Sequence, residues 1–300
     1  MDYGFAEEIC DKYGARYKKN EPLALYTSFK IGGTCPLLIM PNGSECLCML
    51  VRKFKKEGLS YRVMGNGSNI LVSDKGTDVP VIMISSAMNG ILPEDKRLTC
   101  GSGTSLSALC RAAADLGLSG LEFAYGIPGS VGGAVYMNAG AYGGEMKDAV
   151  IGCMYMDSEG EFHFLKKEEM DFSYRHSFFS GKSHIIIGVE FELKKGDKTE
   201  INEKMKELMK RRKDKQPLEY PSAGSTFKRP KGNFAGKLIE DAGLKGFSVG
   251  GAQVSEKHCG FIVNKGGASF DDVKTLIETV REKVKENSGV TLEPEVLIWE

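Results

Sequence analysis

The sequence predicts an α+β protein made of two linked units followed by a separate C-terminal unit. Three observations predict it. Short apolar runs bounded by turn residues alternate with amphipathic helical patterns up to about residue 196. A polar helical stretch, "EINEKMKELMKRRKDK", then ends at Gln216-Pro217 and reads as a connector with a solvated face. The last hundred residues start a fresh mixture of helices and strands.

The elements follow in order. Residues 2–14 have a helical pattern, and "CPLLIM" is a short strand closed by Pro41-Asn42-Gly43. "SECLCMLVRKFKKEG" is an amphipathic helix with Ser44 as expected N-cap and Gly58 as its stop. "YRVMG" and "VPVIMIS" are strands, so 21–86 reads as a small βαβ unit. After Asn89-Gly90, "RLTCGSG" is a strand and the alanine-rich "SLSALCRAAADLG" a helix. "IGCMYMD" and "EFHFLKK" form a hairpin around Ser158-Glu159-Gly160, and "SHIIIGVEFELKKG" is a long strand. Beyond the connector come a helix ("FAGKLIEDAGLKG"), strands ("FSVGGAQVS", "GFIVNKG"), a long helix ("SFDDVKTLIETVREKVKENSG") and a last strand, "TLEPEVLIW". The expected divisions are an N-terminal helix in 1–20, then 21–86, 87–196 and 197–300.

Composition excludes several classes. Lys plus Arg and Asp plus Glu number 40 each, so the net charge is zero and no basic field for nucleic acid exists. An anionic ligand must be held by local geometry. The start, "MDYGFAEEICDKYG", has no apolar core of a secretory signal, and no run of 18 apolar residues occurs. A cytoplasmic protein without a membrane span is expected. The eight cysteines are scattered with no C-x-x-C pair, which reads as reduced, buried thiols. The four histidines make no metal spacing, and no metal is expected.

Glycine, 37 residues, is concentrated where chemistry is expected. In "VMGNGSNILV", Gly65, Asn66, Gly67, Ser68 and Asn69 follow a strand. Successive N–H groups in such a turn can form an anion-binding nest, with Ser68 and Asn69 adding donors. No Lys-Ser/Thr follows, and the next residues read as strand, so neither a Walker loop nor a Rossmann fingerprint fits. In "GLEFAYGIPGSVGGAVYMNAGAYGGE", Gly126, Gly129, Gly132, Gly133, Gly140, Gly143 and Gly144 crowd together. Pro128 stiffens the segment, and Ser130, Asn138 and Tyr142 offer polar contacts. A backbone-lined groove for a long diphosphate cofactor suits it, and "AVYMNA" is too apolar for a solvated loop. Finally, "PSAGSTFKRP" sets the hydroxyl of Ser225 behind Ala223-Gly224 and ahead of Phe227, Lys228 and Arg229. A hydroxyl presented to a charged ligand explains that mixture; a serine that stabilises its own turn also fits.

Seven motifs, "YTSFKIGG", "GNGSNILV", "GIPGSVGGAVYMNAGAYG", "YRHS", "PSAGSTFKRP", "GGAQVSEKHCGFIVN" and "LEPEV", run in one order through nearly the whole chain. In this they resemble the UDP-N-acetylenolpyruvoylglucosamine reductase family. The glycine segments are similar to the FAD-binding elements of the vanillyl-alcohol-oxidase-like fold. The resemblance implies two FAD-binding subdomains and a C-terminal α+β substrate-binding domain. It implies NADPH as reductant, FAD as cofactor and UDP-N-acetylglucosamine enolpyruvate as substrate, in peptidoglycan precursor synthesis. Gly65–Asn69, Gly126, Pro128, Gly129, Ser130, Gly132, Gly133, Asn138, Gly140 and Ala141 would contact FAD.

The resemblance also assigns roles. Arg175 in "SYRHS" would bind the substrate carboxylate, which guanidinium grips bidentately. His176 is read as its neighbour rather than a catalyst. Ser225 would protonate the carbanionic carbon. Glu295 in "LEPEV" would hold the carboxyl group and ease enol formation; Glu293, two residues away, stays open on residue pattern alone. Tyr142, Lys215 and Arg229 are candidates for the UDP diphosphate. Only "KKGDKTE" separates the long strand from the connector helix, which leaves no room for the tyrosine-bearing loop of some members and implies the short-loop subtype. A monomer or weak homo-oligomer is expected. Two alternatives stay open: another flavin oxidoreductase of the same fold, and a flavin- or UDP-sugar-binding protein without turnover.

Overall fold

In the computed structural model the described residues, 2–84 and 86–300, form two compact units. Met1, and Ser85 at the end of the strand read in "VPVIMIS", lie outside them. One unit holds the chain up to Lys19, Leu37–Asn66 and Val79–Lys210; the other holds Asn20–Pro36, Gly67–Asp78 and Arg211–Glu300. These units cut across the consecutive ranges 21–86, 87–196 and 197–300.

Two larger sheets lie mainly in the first unit. Thr34–Met40, Val81–Met83 and Arg62–Met64 run in parallel, with Leu38 opposite Val81 and Val63 opposite Ile82. Helices α1 (Gly4–Tyr13) and α2 (Ser44–Lys56) cover this sheet. Their buried faces place Ala6, Cys10, Leu47, Leu50 and Phe54 against Leu37, Ile39 and Ile82. The cap of α2 is Gly43 at φ +96°, not Ser44, which is already helical. A strand that the polar "RYKKNEP" did not announce, Arg16–Pro22, lies beyond Thr34–Met40 in the sheet order.

The second sheet is antiparallel, in the order Phe162–Lys166, Val150–Met156, Ile185–Glu192, Arg97–Gly101, Ile91–Glu94. The expected hairpin pairs Cys153 with Leu165 and Tyr155 with His163. Helices α3 (Leu106–Asp115, capped by the Ser105 hydroxyl) and α4 (Val131–Tyr136, capped by Ser130) pack on it. Helix α4 rises from the glycine-rich segment; its glycines hid it, because each lowers helix propensity by about 1 kcal/mol. The charged connector is helix α5 (Lys198–Lys215). All eight cysteines are buried thiols.

The second unit is assembled from distant stretches. The strand Ile70–Val72 lies within the expected 21–86 unit. It pairs in parallel with Leu297–Trp299. Two close approaches make this path possible. A Cβ on Gly33 would collide with the Asp74 carbonyl, and one on Gly76 with the Thr34 carbonyl. The three-stranded antiparallel sheet Ser248–Val249, Ala252–Val254, Ile262–Asn264 packs beside helices α6 (Ala235–Asp241) and α7 (Phe270–Ser288). The core joins Phe29, Ile31 and Leu71 to Phe227, Ile239, Val273, Ile277 and Val280.

Helix α7 opens on a capping box: the Ser269 hydroxyl accepts from the Asp272 N–H at 3.0 Å, and Asp272 accepts from the Ser269 N–H at 3.0 Å. Asp272 also accepts from the Gly251 N–H at 3.2 Å. These two backbone donors, Ser269 first, hold its carboxyl below the ordinary range against a smaller opposing effect of burial. A depressed folded pKa contributes stability that is complete above the ordinary value of about 3.9 and is lost as pH falls through the folded value. Asp272→Asn should therefore lower thermal stability at about pH 7 and converge on the parent as pH falls through the folded value, read by melting curves from neutral to acid pH.

Candidate functional site

The predicted residues fall into two sets, one in each unit. In the second unit, Ser225 lies in the loop 221–230. Gly224 has φ +78° and nothing within 4 Å of a Cβ, so conformation alone demands glycine there. Half-buried Ser225 follows. Thr226 is buried, its N–H donating to the Gly260 carbonyl at 2.8 Å and its Oγ1 accepting from the Ile262 N–H at 3.0 Å.

Main-chain bonds then join this loop to "LEPEV". The Glu295 N–H donates to the Thr226 carbonyl at 2.8 Å, and the Lys228 N–H to the Glu293 carbonyl at 2.8 Å. Phe227 and Pro294 are antiparallel partners between them. Ser225 and Glu295, roughly seventy positions apart, thus sit on adjoining stretches of one ladder. The two glutamates separate: Glu293 is exposed and faces Lys228 Nζ at 3.4 Å, whereas Glu295 is half-buried. The final strand begins only at Leu297, after both. Phe227 is a core residue at 3 % exposure.

The glycine turn supports the same ladder. Asn69 Nδ2 donates to the Glu295 carbonyl at 3.0 Å, and the Leu297 N–H donates to the Asn69 carbonyl at 3.0 Å. Gly67, buried at φ +60°, offers its carbonyl to the Ser28 N–H at 3.0 Å. Ser28 Oγ donates to the Ser222 carbonyl at 2.6 Å. So "YTSFKIGG", "GNGSN", "PSAGST" and "LEPEV" form one hydrogen-bonded cluster. Arg229 is exposed, its guanidinium 4.0 Å from the centre of the Phe234 ring, and Lys215 is exposed at the end of α5.

In the first unit, two glycine segments meet closely. A Cβ on Gly65 would lie 2.5 Å from Ser130 Oγ, and one on Gly132 2.9 Å from Ser102 Cβ. Gly129 holds φ +147° behind exposed Pro128. Ser130 is nearly buried and accepts from the Gly133 N–H at 3.3 Å. Main chain rather than side chain therefore fills this region, which fits a diphosphate cofactor read by backbone N–H groups.

Gly140–Ala141 pairs antiparallel with Gly144–Glu145 across a turn in which Tyr142 (φ +54°) and Gly143 (φ +90°) are left-handed. Asn138, expected as a cofactor contact, has no exposed surface. Its Nδ2 donates to Ser173 O at 2.9 Å and Glu145 Oε2 at 3.0 Å, and its Oδ1 accepts from the Lys147 N–H at 3.0 Å. Arg175 is half-buried at φ +56°; Nη2 donates to Gly140 O at 3.2 Å, and the guanidinium lies 4.9 Å from the Tyr174 ring centre. His176 faces Asp171 at 3.1 Å. Among the described residues no His, Cys, Asp or Glu group of three could hold a metal ion, and no helix is long and apolar enough to cross a membrane.

Comparisons with known proteins decide the family. Residues 216–299 match the model for the C-terminal domain of UDP-N-acetylenolpyruvoylglucosamine reductase, and 36–166 match the FAD binding domain. The UDP-N-acetylenolpyruvoylglucosamine reductase of Caldanaerobacter subterraneus subsp. tengcongensis is 50% identical over 298 residues, 98% of both chains. The chain belongs to the UDP-N-acetylenolpyruvoylglucosamine reductase family. Another reductase of that name, from Lachnoclostridium phytofermentans, is 50% identical over 92% of this chain and 91% of its own. The crystal structure of the reductase from Thermus caldophilus superposes with TM-score 0.81 at 38% identity, covering 95% of this chain and 99% of that one. An alkyldihydroxyacetonephosphate synthase, 15% identical with TM-score 0.51 over 65% of this chain and 41% of its own, shares the fold alone. The fold of this reductase family member is thus the vanillyl-alcohol-oxidase-like FAD-binding fold with a C-terminal α+β domain.

Ser28, Thr226 and Glu145 had no signal in the sequence as site builders; small hydroxyls and lone carboxylates show their partners only in space. Ser28→Ala leaves the Ser222 carbonyl without its 2.6 Å donor. It should lower the melting temperature by about 2–5 °C, measured by scanning calorimetry on the flavin-loaded protein.

Proposed function

We propose that the protein reduces the enolpyruvyl group of UDP-N-acetylglucosamine enolpyruvate to the lactyl ether of UDP-N-acetylmuramate, with NADPH as reductant and FAD as cofactor, in the cytoplasm. The observation that carries the reading is the ladder that brings Ser225 beside Glu295 in a chain whose relatives of that name match it end to end. Segments 21–86 and 87–196 would hold FAD, through Gly65–Asn69, Gly126, Pro128–Ser130, Gly132, Gly133, Gly140 and Ala141; residues 197–300 would hold the sugar nucleotide. Asn138 belongs to the support of that surface. Tyr142, Lys215 and Arg229 are the proposed diphosphate contacts.

The redox chemistry, a hydride taken from NADPH and delivered to the enolpyruvyl double bond, is what FAD supplies when bound. Hydride addition at one carbon leaves negative charge on the carbon that bears the carboxylate. Arg175 grips that carboxylate and stabilises the enolate-like charge. Glu295 and that carboxyl group share a proton in one hydrogen bond. Ser225 delivers the proton that completes addition across the bond, which requires its hydroxyl close to the carbon and re-protonated through its neighbours. The left-handed Gly224 lets the loop present that hydroxyl.

Anaerobic stopped-flow spectroscopy separates the two halves of turnover. Ser225→Ala should leave flavin bleaching by NADPH within about threefold of the parent and slow reoxidation by the enolpyruvyl sugar nucleotide about a hundredfold or more. Equal slowing of both halves contradicts the assignment. Between the glutamates, Glu295→Gln should depress turnover by about a hundredfold, whereas Glu293→Gln, at an exposed ion pair, should change it by less than about twofold. The reverse order would move the role to Glu293.

A further inference from the structure

We propose that Asn138 and Glu145 are positioning residues for Arg175, a role that rests on the reading of Arg175 as the group that grips the substrate carboxylate. Three stretches of chain meet at one amide. The Asn138 side chain bonds at once to the 173–176 turn through Ser173 O, to the hairpin through Glu145 Oε2, and to the Lys147 N–H. That fills both N–H donors and an acceptor site of a side chain with no solvent access. Such an amide fixes the distance between the 138–140 segment and the turn that carries Arg175.

The arginine closes the loop from the other side. Its Nη2 donates to Gly140 O, and Gly140 stands directly opposite Glu145 in the hairpin. A Cβ on Gly140 would lie 2.7 Å from Glu145 Cγ, so the glycine makes room for the glutamate stem to cross it. Glu145 is largely covered, with its side chain 23% exposed, and Lys147 Nζ lies 2.7 Å from its carboxylate. Burial opposes its charge, but Lys147, Asn138 and the Arg175 guanidinium together hold it below the ordinary carboxylate range. Arg175 itself keeps a left-handed backbone, a conformation unfavourable for a non-glycine residue that persists where surroundings impose it. The turn is further tied by reciprocal N–H to carbonyl bonds of 3.2 Å between Ser173 and His176. Amide, carboxylate and turn thus specify where the guanidinium sits before a ligand arrives. A preorganised cation of this kind loses less on binding than a mobile one.

A double-mutant cycle tests it, with calorimetric titration of the enolpyruvyl sugar nucleotide into oxidised, FAD-loaded protein, so that no turnover is involved. Asn138→Ser should weaken binding about tenfold in the parent and less than about twofold in an Arg175→Ala background. Glu145→Gln, which keeps shape and an acceptor oxygen on a partly exposed side chain, is the second variant and guards against a failure of Asn138→Ser to fold. It should weaken binding about threefold in the parent and change nothing once Arg175 is gone. Equal losses in both backgrounds would overturn the positioning role, because a structural defect adds rather than couples. Tighter binding by Glu145→Gln would overturn it too, since that is the signature of a carboxylate that merely competes with the ligand for the arginine. An Arg175→Ala protein that binds as the parent does would instead overturn the reading of Arg175, and the proposal with it.

Discussion

One short stretch of main-chain pairing underlies the candidate chemistry of the second unit: Glu295 N–H to Thr226 carbonyl, with Lys228 N–H to Glu293 carbonyl beside it. Backbone groups have fixed reach, so these bonds place two side chains from remote parts of the chain without any specific side-chain contact between them. Everything around the ladder reinforces it. Thr226 is anchored by its amide to the Gly260 carbonyl and by its hydroxyl to the strand that starts at Ile262, and Asn69 ties the Glu295 carbonyl to the glycine turn. Ser28 bridges that turn to the start of the Ser225 loop. A hydroxyl held this way can be a weak acid and still act, because the work lies in placement.

The first unit solves a different problem by the same means. A long diphosphate cofactor calls for main chain at close range, and the glycine segments provide it, since no Cβ fits between Gly65 and Ser130 or between Gly132 and Ser102. Two of the polar side chains there also serve the fold. Ser130 caps α4, and Asn138 is wholly internal. Buried polar groups must find partners, and these two found them in the main chain and in Glu145.

Much of this was legible in the residues. Periodicity located the amphipathic helices α2, α3 and α7 and the strands from Val150 to Glu192, because burial on one face leaves a pattern. The motif order carried the family. What the sequence could not show was association between distant segments. Nothing in "ILVSD" distinguishes a partner at Val81 from one at Leu297; both are short apolar strands. "RYKKNEP" lacked the apolar alternation of a strand because its side chains are mostly exposed. The glutamates of "LEPEV" were equivalent on paper, and the rung at Pro294 separates them.

The parallel pairing of Leu297–Trp299 with Ile70–Val72 has a kinetic consequence. A contact closing a loop of roughly two hundred residues repays its ordering entropy late, and parallel pairing of that span is among the slower steps a chain can take. While a nascent chain emerges, the early strand must wait, apolar and unpaired, until residues 297–299 have been made. Synthesis rate and chaperone cover, rather than equilibrium stability, would then govern how much active protein a cell obtains.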